Sequence, residues 1–541
     1  MVAYADDIVL MVSGMFPTTI SEIMEGALVL LSNWATDCGL SVNPRKTELM
    51  LFTKKTKVPN FNLPKLNGVS LTLTKQAKYL GVILDPKLSW KSNVEYRVKK
   101  ANIALYTCKR MLGKKWGLQP KLSNWSYTAI VRPILTYAAL VWWPATEKKY
   151  NKTKLNKIQR TACILTTGAL STSPTEALNV LTHLLPLDLH IKTIATCSAV
   201  RLRDIGSWTT RPYGHSKILL QGPPLLKNGS DYTVPDLNFK KGFTVRFPPR
   251  AEWSKGKVIG RYDIEIYTDG SKMNCGVGAG FHSEPLNLSQ SIRLPDYASV
   301  FQAELLAIRE ACKSLELYKV VGARVAIFSD SQAAIKALDS NYISSKLVLQ
   351  CREELKLLSH WLEITLIWVP GHRNIRGNEI ADELARKGST LDIAEAVAVS
   401  TPLNTLKASI ASHYHALAER RWKQLTTCIT TKNTWPSYKI QRTNDLLGCS
   451  RPNISRITAT LTGHWKVGDH AARLNLPFNP ICRSCQAEGA KESLFHYLCE
   501  CPGLARARLR SFGKPFLQQI KEISDIEIKD LLLYLDLTKW I

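Results

Sequence analysis

The feature that most constrains this chain is an alternation of strand and helix patterns between residues 262 and 390. Three strand-like segments come first, and strand-like and helix-like segments then take turns. In chain order the segments are IEIYTD, VGAGFHS, QSIRL, FQAELLAIREACKSLEL, RVAIFSD, SQAAIKAL, KLVLQCREELKLLSHW, ITLIWVPG and NEIADELARKG. Because consecutive strands tend to pair antiparallel and strands separated by helices tend to pair parallel, the pattern predicts an α/β fold with a mixed sheet flanked by helices.

Four acidic residues in this segment stand where the pattern predicts a sheet edge or an apolar helix face. Asp269 and Asp330 end two predicted strands, and a Gly-Ser turn is expected directly after Asp269. Asp382 falls in the first turns of the last helix, and Glu304 lies in the middle of an apolar helix. One such acid would be an ordinary cap or ion-pair partner, but burying a carboxylate costs several kcal/mol unless it is paired or metal-bound. Four of them supply about as many oxygens as two divalent ions roughly 4 Å apart require.

The motifs around these acids resemble the signatures of the ribonuclease H family in order and spacing: YTDGS, FQAELLAI, FSDSQAAI and WVPGHRNIRGNEIADELA. The resemblance covers the segment 262–390 and implies a ribonuclease H-like fold. It also implies that two Mg²⁺ or Mn²⁺ ions are bound by Asp269, Glu304, Asp330 and Asp382, with Asp269 bridging both. The implied activity is hydrolysis of the RNA strand of RNA–DNA hybrids, with the RNA strand selected through its 2′-hydroxyl groups in the wide minor groove.

Polar residues near these motifs are candidates for contacts with the substrate. His372 lies in the loop PGHRNIRGN, and the resemblance implies a mobile histidine that assists proton transfer or product release there. An imidazole that titrates near neutral pH can do either, although a loop histidine is often simply exposed to solvent. The residues expected to touch the phosphate or sugar are Ser271, Asn274, Ser331, Gln332 and Asn378. Ordinary turn formation and helix capping explain these five about equally well.

The positive charge of the chain lies outside this segment. The formal charge over 541 residues is +28, with 36 Lys+Arg against 9 Asp+Glu in 51–261 (net +27) and 14 against 16 in 262–390 (net −2). Such a balance indicates a polyanionic partner, nucleic acid above all. Some members of the resembled family carry an additional basic helix before the strand ITLIWVPG, where this chain has a single helix. Affinity for a hybrid is therefore expected to depend on the basic flanking segments.

The N-terminal residues resemble a second enzyme family. Asp6 and Asp7 lie in YADD, a predicted hairpin turn that resembles the catalytic hairpin of reverse transcriptases. Later motifs resemble the palm and post-palm regions of non-LTR retrotransposon polymerases of the jockey-like insect type: GLSVNPRKTELMLF, KYLGVILDPKLSW, VRPILTYAALVWWP and LNKIQRTACILTTGALSTSPTEAL. Polymerase chemistry needs a third carboxylate on an earlier strand and a fingers region. We therefore expect no reverse transcriptase activity from this chain alone, which would be the 3′ part of an element's reading frame.

Cysteines cluster near the C-terminus at a spacing that is plausible for zinc. The candidate ligands are Cys482, Cys485, His496 and Cys501, with Cys499 as an alternative fourth ligand. Free thiols beside a helical tail are the alternative interpretation. The resemblance to non-LTR elements, which often end in a Cys-Cys-His-Cys knuckle, favours Zn²⁺ and a role in gripping single-stranded RNA or DNA.

These observations predict four segments. They are a truncated reverse-transcriptase palm end with thumb or connection in 1–205, a basic linker in 206–260, the ribonuclease H domain in 262–390, and a helical C-terminal region in 391–541 with the zinc knuckle at 482–501. The dispersed cysteines and the lack of a secretory leader favour a reducing, intracellular compartment. No apolar run reaches the roughly 18 residues of a membrane span. The predicted function is cleavage of RNA–DNA hybrids; a catalytically silent, nucleic-acid-binding remnant is the alternative.

Overall fold

The chain divides into two compact units. The computed structural model describes residues 1–53, 55, 61–113, 116–254, 260–371, 373, 375–465, 468–477, 481–487 and 489–539. One unit comprises Met1–Ala195 and His415–Ile541, and is named here the helical unit; the other is Thr196–Tyr414, named the sheet unit. The predicted α/β segment lies in the sheet unit, and the C-terminal cysteines lie in the helical unit.

Strands and helices follow one another in this order along the chain. The strands are β1 (Val2–Tyr4), β2 (Asp7–Val9), β3 (Lys65–Leu66), β4 (Val69–Ser70), β5 (Ala77–Tyr79), β6 (Val82–Leu84), β7 (Tyr232–Leu237), β8 (Thr244–Arg246), β9 (Ile264–Met273), β10 (Gly276–Ser283), β11 (Leu288–Leu294), β12 (Arg324–Ser329), β13 (Tyr342–Ser345) and β14 (Glu363–Trp368). The helices are α1 (Pro17–Asp37), α2 (Lys91–Lys109), α3 (Pro120–Ser126), α4 (Arg132–Thr136), α5 (Ala139–Trp142), α6 (Lys149–Thr167), α7 (Thr175–Leu181), α8 (Leu187–Asp204), α9 (Arg250–Ser254), α10 (Val300–Leu317), α11 (Gln332–Asp339), α12 (Lys346–Leu358), α13 (Arg376–Thr390), α14 (Leu403–Gln424), α15 (Ile429–Thr434), α16 (Ile440–Leu447), α17 (Arg451–Thr462), α18 (Gly468–Arg473), α19 (Ala505–Phe512) and α20 (Ile528–Thr538).

A six-stranded mixed sheet organises the sheet unit, in the strand order β11-β10-β9-β12-β14-β8. Strands β9, β10 and β11 are antiparallel neighbours, whereas β12 runs parallel to β9, and β14 runs parallel to β12. Strands β12 and β14 are buried at every position after their first residue, as expected where helices cover both faces of a sheet. The predicted mixed sheet with flanking helices is confirmed.

The prediction that a Gly-Ser turn follows Asp269 is wrong. Strand β9 continues to Met273, so Asp269 lies in its middle, and the chain turns only at Asn274. Gly270 serves packing instead of a turn, because a Cβ there would lie 2.5 Å from the backbone nitrogen of Glu304 on α10. The glycine thus lets α10 approach the strand that carries Asp269, which brings two acidic residues together.

Helix α13 lies across β9, β10 and β11 at a distance that only glycine permits. A Cβ on Gly278 would lie 2.2 Å from the carbonyl oxygen of Ala385, and one on Gly280 would lie 2.4 Å from the nitrogen of the same residue. Helices α10 and α12 complete a core that includes Ile266, Phe281, Leu306, Ile327 and Leu355. Both acid-bearing helices, α10 and α13, are therefore held close to the sheet.

Part of the segment predicted to be a basic linker, 206–260, folds with the sheet unit, so that prediction needs correction. Strand β8 extends the sheet by pairing in parallel with β14, and β7 pairs with β13. The Asp231 carboxylate accepts hydrogen bonds from the Leu347 N–H (3.0 Å) and the Ser345 hydroxyl (2.7 Å) at the start of α12, and Phe243 is buried in the core. These strands escaped prediction because they are short and lie among Gly and Pro residues that hide any alternation.

Residues after α13 also pack on the sheet unit. The Tyr297 hydroxyl donates to the Val399 carbonyl (2.9 Å), and Gln302 Nε2 donates to the Ser400 carbonyl (2.9 Å). The N–H of Asp231 donates to the Thr401 carbonyl (2.8 Å), which joins the two flanking segments. The folded body around the sheet therefore extends on both sides of the segment 262–390.

A fragment of residues 229–401 is expected to be more stable than one of residues 262–390 by at least about 3 kcal/mol. The shorter fragment lacks β8 and the buried side chains of Phe243 and Val399, and burying such side chains contributes about 1.5–3 kcal/mol each. Urea denaturation of the two fragments measures the difference. Equal free energies of unfolding would contradict the inclusion of the flanks.

The helical unit begins with the predicted hairpin. Strands β1 and β2 pair Val2 with Val9 and Tyr4 with Asp7, and both Asp6 and Asp7 are exposed at the turn. The remainder of this unit is mostly helical, and the predicted helical character of the C-terminal region is confirmed. Among the helices in the described part of the chain, none combines the length and apolar character needed to cross a bilayer.

Candidate active site and metal centre

Three acidic side chains meet near the centre of the six-stranded sheet. Asp269 lies on β9, Asp330 directly follows β12, and Glu304 lies on α10; one carboxylate oxygen of each lies within 4.8 Å of the other two. The parallel register pairs Ser329 with Thr268, so the next residue on each strand is one of the two aspartates. The sheet therefore fixes two of the acids side by side, and α10 supplies the third.

Burial and electrostatic repulsion raise the pKa of Asp269 and of Glu304. The pKa of Asp269 is raised from 3.8 to about 7, chiefly by burial and then by the negative charges of Asp330 and Asp382. The pKa of Glu304 is raised well above its usual value, again by burial first and then by the charges of Asp269 and Asp330. Such a group cannot ionise fully near neutral pH without a large penalty, and a bound cation would remove that penalty.

Two packing details fit a divalent metal ion. Glu304 Oε2 is buried and has no hydrogen-bond partner among the residues that the structure describes. A Cβ on Gly371 would lie 2.6 Å from Asp330 Oδ2, so the loop after β14 passes directly over this carboxylate. Hard oxygen donors around an unsatisfied buried oxygen suit Mg²⁺ or Mn²⁺. The residues present therefore fit the metal that the sequence predicts.

Asp382, the fourth predicted ligand, lies beside this group and is outside the set of three whose oxygens lie within 4.8 Å. Its carboxylate is 2.8 Å from the guanidinium of Arg386, four residues later on α13. It nevertheless lies close enough to contribute to the raised pKa of Asp269. The sequence pattern did not predict this ion pair, although the i,i+4 spacing in DELAR is the signal that could have found it.

The predicted substrate-contacting residues on α11 have local partners. Ser331 caps α11 by accepting a hydrogen bond from the Ala334 N–H at 3.3 Å. Gln332 Oε1 accepts from Lys336 Nζ at 3.2 Å and is exposed. The capping interpretation thus accounts for the position of Ser331, and Gln332 remains accessible from solvent.

The remaining predicted residues differ in exposure. Ser271 is half-buried on β9, whereas Asn274 is exposed in the β9–β10 turn. Asn378 is buried in the first turn of α13, and its Oδ1 has no hydrogen-bond partner within the described ranges. His372 lies outside the described residues. The sequence-based proposal for this histidine therefore stays a prediction.

The motif WVPG has a role that was not predicted from the sequence. The indole N–H of Trp368 donates to the backbone carbonyl of Asp330 at 3.1 Å, while Gly371 approaches the same residue's carboxylate. Trp368 at the end of β14 and Gly371 in the loop that follows therefore both pack against Asp330. Their proximity to Asp330 depends on strand order, which a motif alone does not reveal.

The family model for RNase H matches residues 261–390. The match covers the six strands β9–β14, the helices between them, α13, and all four predicted carboxylates. Residues 261–390 form a ribonuclease H domain. The predicted fold and the predicted family are thereby confirmed for this part of the chain.

Proteins similar to part of this chain include retrotransposon proteins. A retrovirus-related Pol polyprotein from type-1 retrotransposable element R1 of Nasonia vitripennis is 26% identical over 193 residues, 35% of this chain and 57% of that protein. A probable RNA-directed DNA polymerase from transposon BS of Drosophila melanogaster is 30% identical over 149 residues, 28% of this chain and 16% of that protein. The chain therefore spans only part of the length of these relatives. The predicted relationship to non-LTR retrotransposon polyproteins is confirmed.

A human protein is also similar to part of this chain. Ribonuclease H1 of Homo sapiens is 30% identical over 148 residues, which cover 23% of this chain and 50% of that protein. The similarity therefore extends beyond mobile elements to a protein whose name states a ribonuclease H activity.

A second group of metal-binding side chains lies in the helical unit. Ligand atoms of Cys482, Cys485, His496 and Cys501 all lie within 4.8 Å of one another. Cys482 Sγ is 3.7 Å from Cys501 Sγ, and Cys485 Sγ is 3.5 Å from His496 Nε2. Cys499, the predicted alternative, lies outside this group, and burial raises its pKa to about 12. Three sulfur donors and one imidazole nitrogen form a donor set that suits Zn²⁺.

Two of the four ligands in this Cys/His group are fully buried, and the backbone of the group is supported by Arg508. Cys482 and Cys501 are fully buried. The buried Arg508 guanidinium donates to the carbonyl of Cys501 and to that of Tyr497 (3.2 Å). His496 Nδ1 lies 3.7 Å from a carboxylate oxygen of Glu500, which is beyond hydrogen-bonding distance.

Proposed function

We propose that the RNase H domain hydrolyses the RNA strand of RNA–DNA hybrids. The observation that carries this proposal is the close group of Asp269, Glu304 and Asp330, the first two of them buried, in an RNase H domain. Such a group is electrostatically unfavourable by itself, and strongly raised carboxylate pKa values are typical of functional sites. The similarity to a human ribonuclease H1 supports the same activity.

Two Mg²⁺ or Mn²⁺ ions would be held by Asp269, Glu304 and Asp330, with Asp382 as the fourth ligand. When bound, such ions lower the pKa of an attacking water and stabilise the negative charge that develops on the leaving 3′ oxygen. The residues of the chain fix the positions of the ligands. The pairing of β9 with β12 places Asp269 beside Asp330, and the capped helix α10 holds Glu304. Ligands fixed on strands and helices need little rearrangement when metal and substrate bind.

Asp382 has to exchange Arg386 for the metal in this proposal. The ion pair spans one helical turn, and the Arg386 side chain is more than half exposed. Pairs of this kind contribute only roughly 0.3–0.5 kcal/mol. The exchange therefore costs little compared with the charge neutralisation that a divalent ion provides.

Contacts with the hybrid are proposed for polar residues near the carboxylates: Ser271, Asn274, Ser331, Gln332 and Asn378. The exposed Asn274 and Gln332 are accessible to a substrate in solution, and the buried Asn378 has an unsatisfied oxygen. Selection of the RNA strand would use its 2′-hydroxyl groups, which both donate and accept hydrogen bonds. His372 is proposed to assist proton transfer or product release.

The experiment that tests the proposal is cleavage of a hybrid whose two strands carry different fluorophores, by the full chain with Mg²⁺ or Mn²⁺. We expect cuts in the RNA strand only, with 3′-hydroxyl and 5′-phosphate ends, because the 3′ oxygen is the leaving group. Single-stranded RNA and duplex DNA of the same sequence should remain intact. Cleavage of the DNA strand, or no cleavage by a folded protein, would contradict the proposal and favour a binding role.

Cleavage is expected to rise with pH from about 5 and to level off above about 7. Metal ions bind the deprotonated carboxylates, and the pKa of Asp269 is about 7 in the folded chain. Initial rates at fixed, subsaturating Mg²⁺ between pH 5 and 9 measure this dependence. A rate that is flat across this range would contradict the raised pKa.

The stability of the metal-free protein is expected to change with pH in the opposite direction. Because the pKa of Asp269 is 3.8 in the unfolded chain and about 7 in the folded chain, the folded state binds more protons between these values. Stability therefore falls as pH rises from about 4 to 7, by up to about 1.4 kcal/mol for each pKa unit. Thermal unfolding from pH 5 to 8 without divalent metal measures this, and added Mg²⁺ should reduce the slope. Stability that rises through this window would contradict the assignment.

We also propose that the Cys/His group binds Zn²⁺ and acts structurally. The buried Cys482 and Cys501, and the brace from Arg508, place the group inside the fold of the helical unit. A structural zinc site is closed by four protein ligands, as this donor set would be. A role in gripping single strands, which the sequence favours, would need an exposed surface around the group. The structural role is therefore the one that the burial supports better.

A further inference from the structure

The helical unit contains a groove that is separate from both metal-binding groups. It runs between α2 and α6 and has a volume of about 950 Å³. Helix α2 contributes Lys99, Ile103 and Tyr106, Arg110 follows directly after its end, and α6 contributes Lys157 on the opposite wall. The packing of two helices about forty residues apart in sequence thus creates a surface that no local motif encodes.

The groove is positively charged. Lys99, Arg110 and Lys157 are exposed and have no acidic partner in the part of the chain that the structure describes. The acidic residue of the lining, Glu95, is paired with Lys154, whose Nζ lies 2.6 Å from the carboxylate. Three cations therefore remain available, and their charge suits the phosphates of a nucleic acid.

The same groove exposes apolar and aromatic surface. The Ile103 side chain is 62% exposed, and Tyr106 is 55% exposed. Lys109 Nζ lies 5.6 Å from the centroid of the Tyr106 ring, so the ring already carries a cation near it. Basic grooves with exposed aromatic rings are the surfaces on which unpaired bases stack while the backbone follows the charges.

We propose that the α2–α6 groove binds single-stranded RNA or DNA. The phosphates of the bound strand would contact Lys99, Arg110 and Lys157, and one unpaired base would stack on the ring of Tyr106. A duplex satisfies the charges, but it hides the base faces that Tyr106 and Ile103 could cover. The observations therefore favour a single strand over a duplex, and this binding requires no cleavage by the RNase H domain.

The first test compares two triple variants of the full chain. Lys99→Gln/Arg110→Gln/Lys157→Gln removes the three groove cations, and Lys46→Gln/Lys75→Gln/Lys87→Gln removes three exposed lysines of the same unit outside the groove lining. Fluorescence anisotropy with labelled pyrimidine 12-mers of RNA and of DNA, without divalent metal, gives affinity against KCl concentration. We expect the groove variant to bind at least tenfold more weakly at 100 mM KCl. The slope of log affinity against log salt should fall by about 2, since each single-strand phosphate contact contributes about 0.7.

The matched control should bind within twofold of the unmodified chain. Equal losses in the two triple variants would show a bulk-charge effect and overturn the proposal. An unchanged affinity in the groove variant would also overturn it, and would leave an acidic protein segment as the occupant to seek. Thermal unfolding of both variants verifies that they are folded.

The second test separates a single strand from a duplex. Tyr106→Ala removes an exposed ring and should fold normally; it is expected to weaken single-strand binding about tenfold without changing the salt slope. Binding to a duplex of the same sequence should not change. Equal losses for single strand and duplex would contradict base stacking at Tyr106. Because binding is measured without divalent metal, these results do not depend on whether the chain cleaves hybrids.

Discussion

Asp269→Asn is expected to lower the rate of hybrid cleavage by at least about a thousandfold. Asp269 lies at the centre of the carboxylate group, where asparagine keeps the shape and removes the charge that would hold the metal. A thousandfold loss corresponds to about 4 kcal/mol of transition-state stabilisation, which is in the range expected for metal-ion catalysis. Single-turnover cleavage of the labelled hybrid at saturating Mg²⁺ measures the loss.

The same substitution is expected to stabilise the metal-free protein at pH 8. The ionised Asp269 is repelled by Asp330 and is penalised by burial, and the neutral amide avoids both costs. A variant that loses activity while its melting temperature rises cannot be inactive through misfolding. The matched control is Glu284→Gln, an exposed acid in the β10–β11 turn, which should change neither property. Undiminished cleavage by Asp269→Asn would exclude this group as the catalytic centre.

Removal of zinc is expected to unfold the segment that contains the Cys/His group and to loosen α19 and α20. Among the described residues of this segment, the strand pairing is the isolated bridge between Ile481 and Lys491, whereas ligand atoms of Cys482, Cys485, His496 and Cys501 all lie within 4.8 Å of one another. The apparent free energy of zinc binding to small structural sites is about 10–16 kcal/mol near pH 7, and much of it serves as folding free energy. Hydrogen exchange of the full chain, before and after chelation in Mg²⁺-free buffer, measures the loss of protection.

Cysteine variants provide the matched comparison for the zinc site. Cys485→Ser should reduce bound zinc from about one ion per chain to near zero and reproduce the loss of protection around Tyr497 and Arg508. Cys499→Ala should keep the zinc, because Cys499 lies outside the ligand group. Protection of strand β9 in the sheet unit should not respond to either change. Full protection of the segment without zinc would contradict a structural role.

Much of the sheet unit was predictable because its strands and helices repeat apolar residues with clear periods. The strands β9 to β12 and β14, and the helices α10 to α13, follow the sequence pattern closely. Strands β7, β8 and β13 were not predictable, since each is short and is defined by its partner strand. The role of Gly270 was not predictable either. The sequence suggests a turn at this residue, whereas the close approach of α10 is what requires glycine there.

The candidate site was predictable in its members but not in its arrangement. The resemblance to ribonuclease H indicated Asp269, Glu304 and Asp330, which the sheet brings together, and the metal-ligand assignment stays a proposal. The pairing of Asp382 with Arg386 depends on side-chain orientation along α13, which no motif specifies. The division of the chain into segments also stays a prediction, except for the linker 206–260, because β7 and β8 in that segment pair with strands of the sheet unit.

Binding of divalent metal by the three clustered carboxylates is the claim that connects the fold, the raised pKa values and the proposed cleavage. An anomalous difference map from crystals of the full chain grown with Mn²⁺ tests it most directly. We expect a peak at about 2.1 Å from oxygens of Asp269, Glu304 and Asp330, the distance typical of small octahedral divalent ions. Its absence at saturating Mn²⁺ and pH 8, with the carboxylates well ordered, would contradict a metal-dependent nuclease.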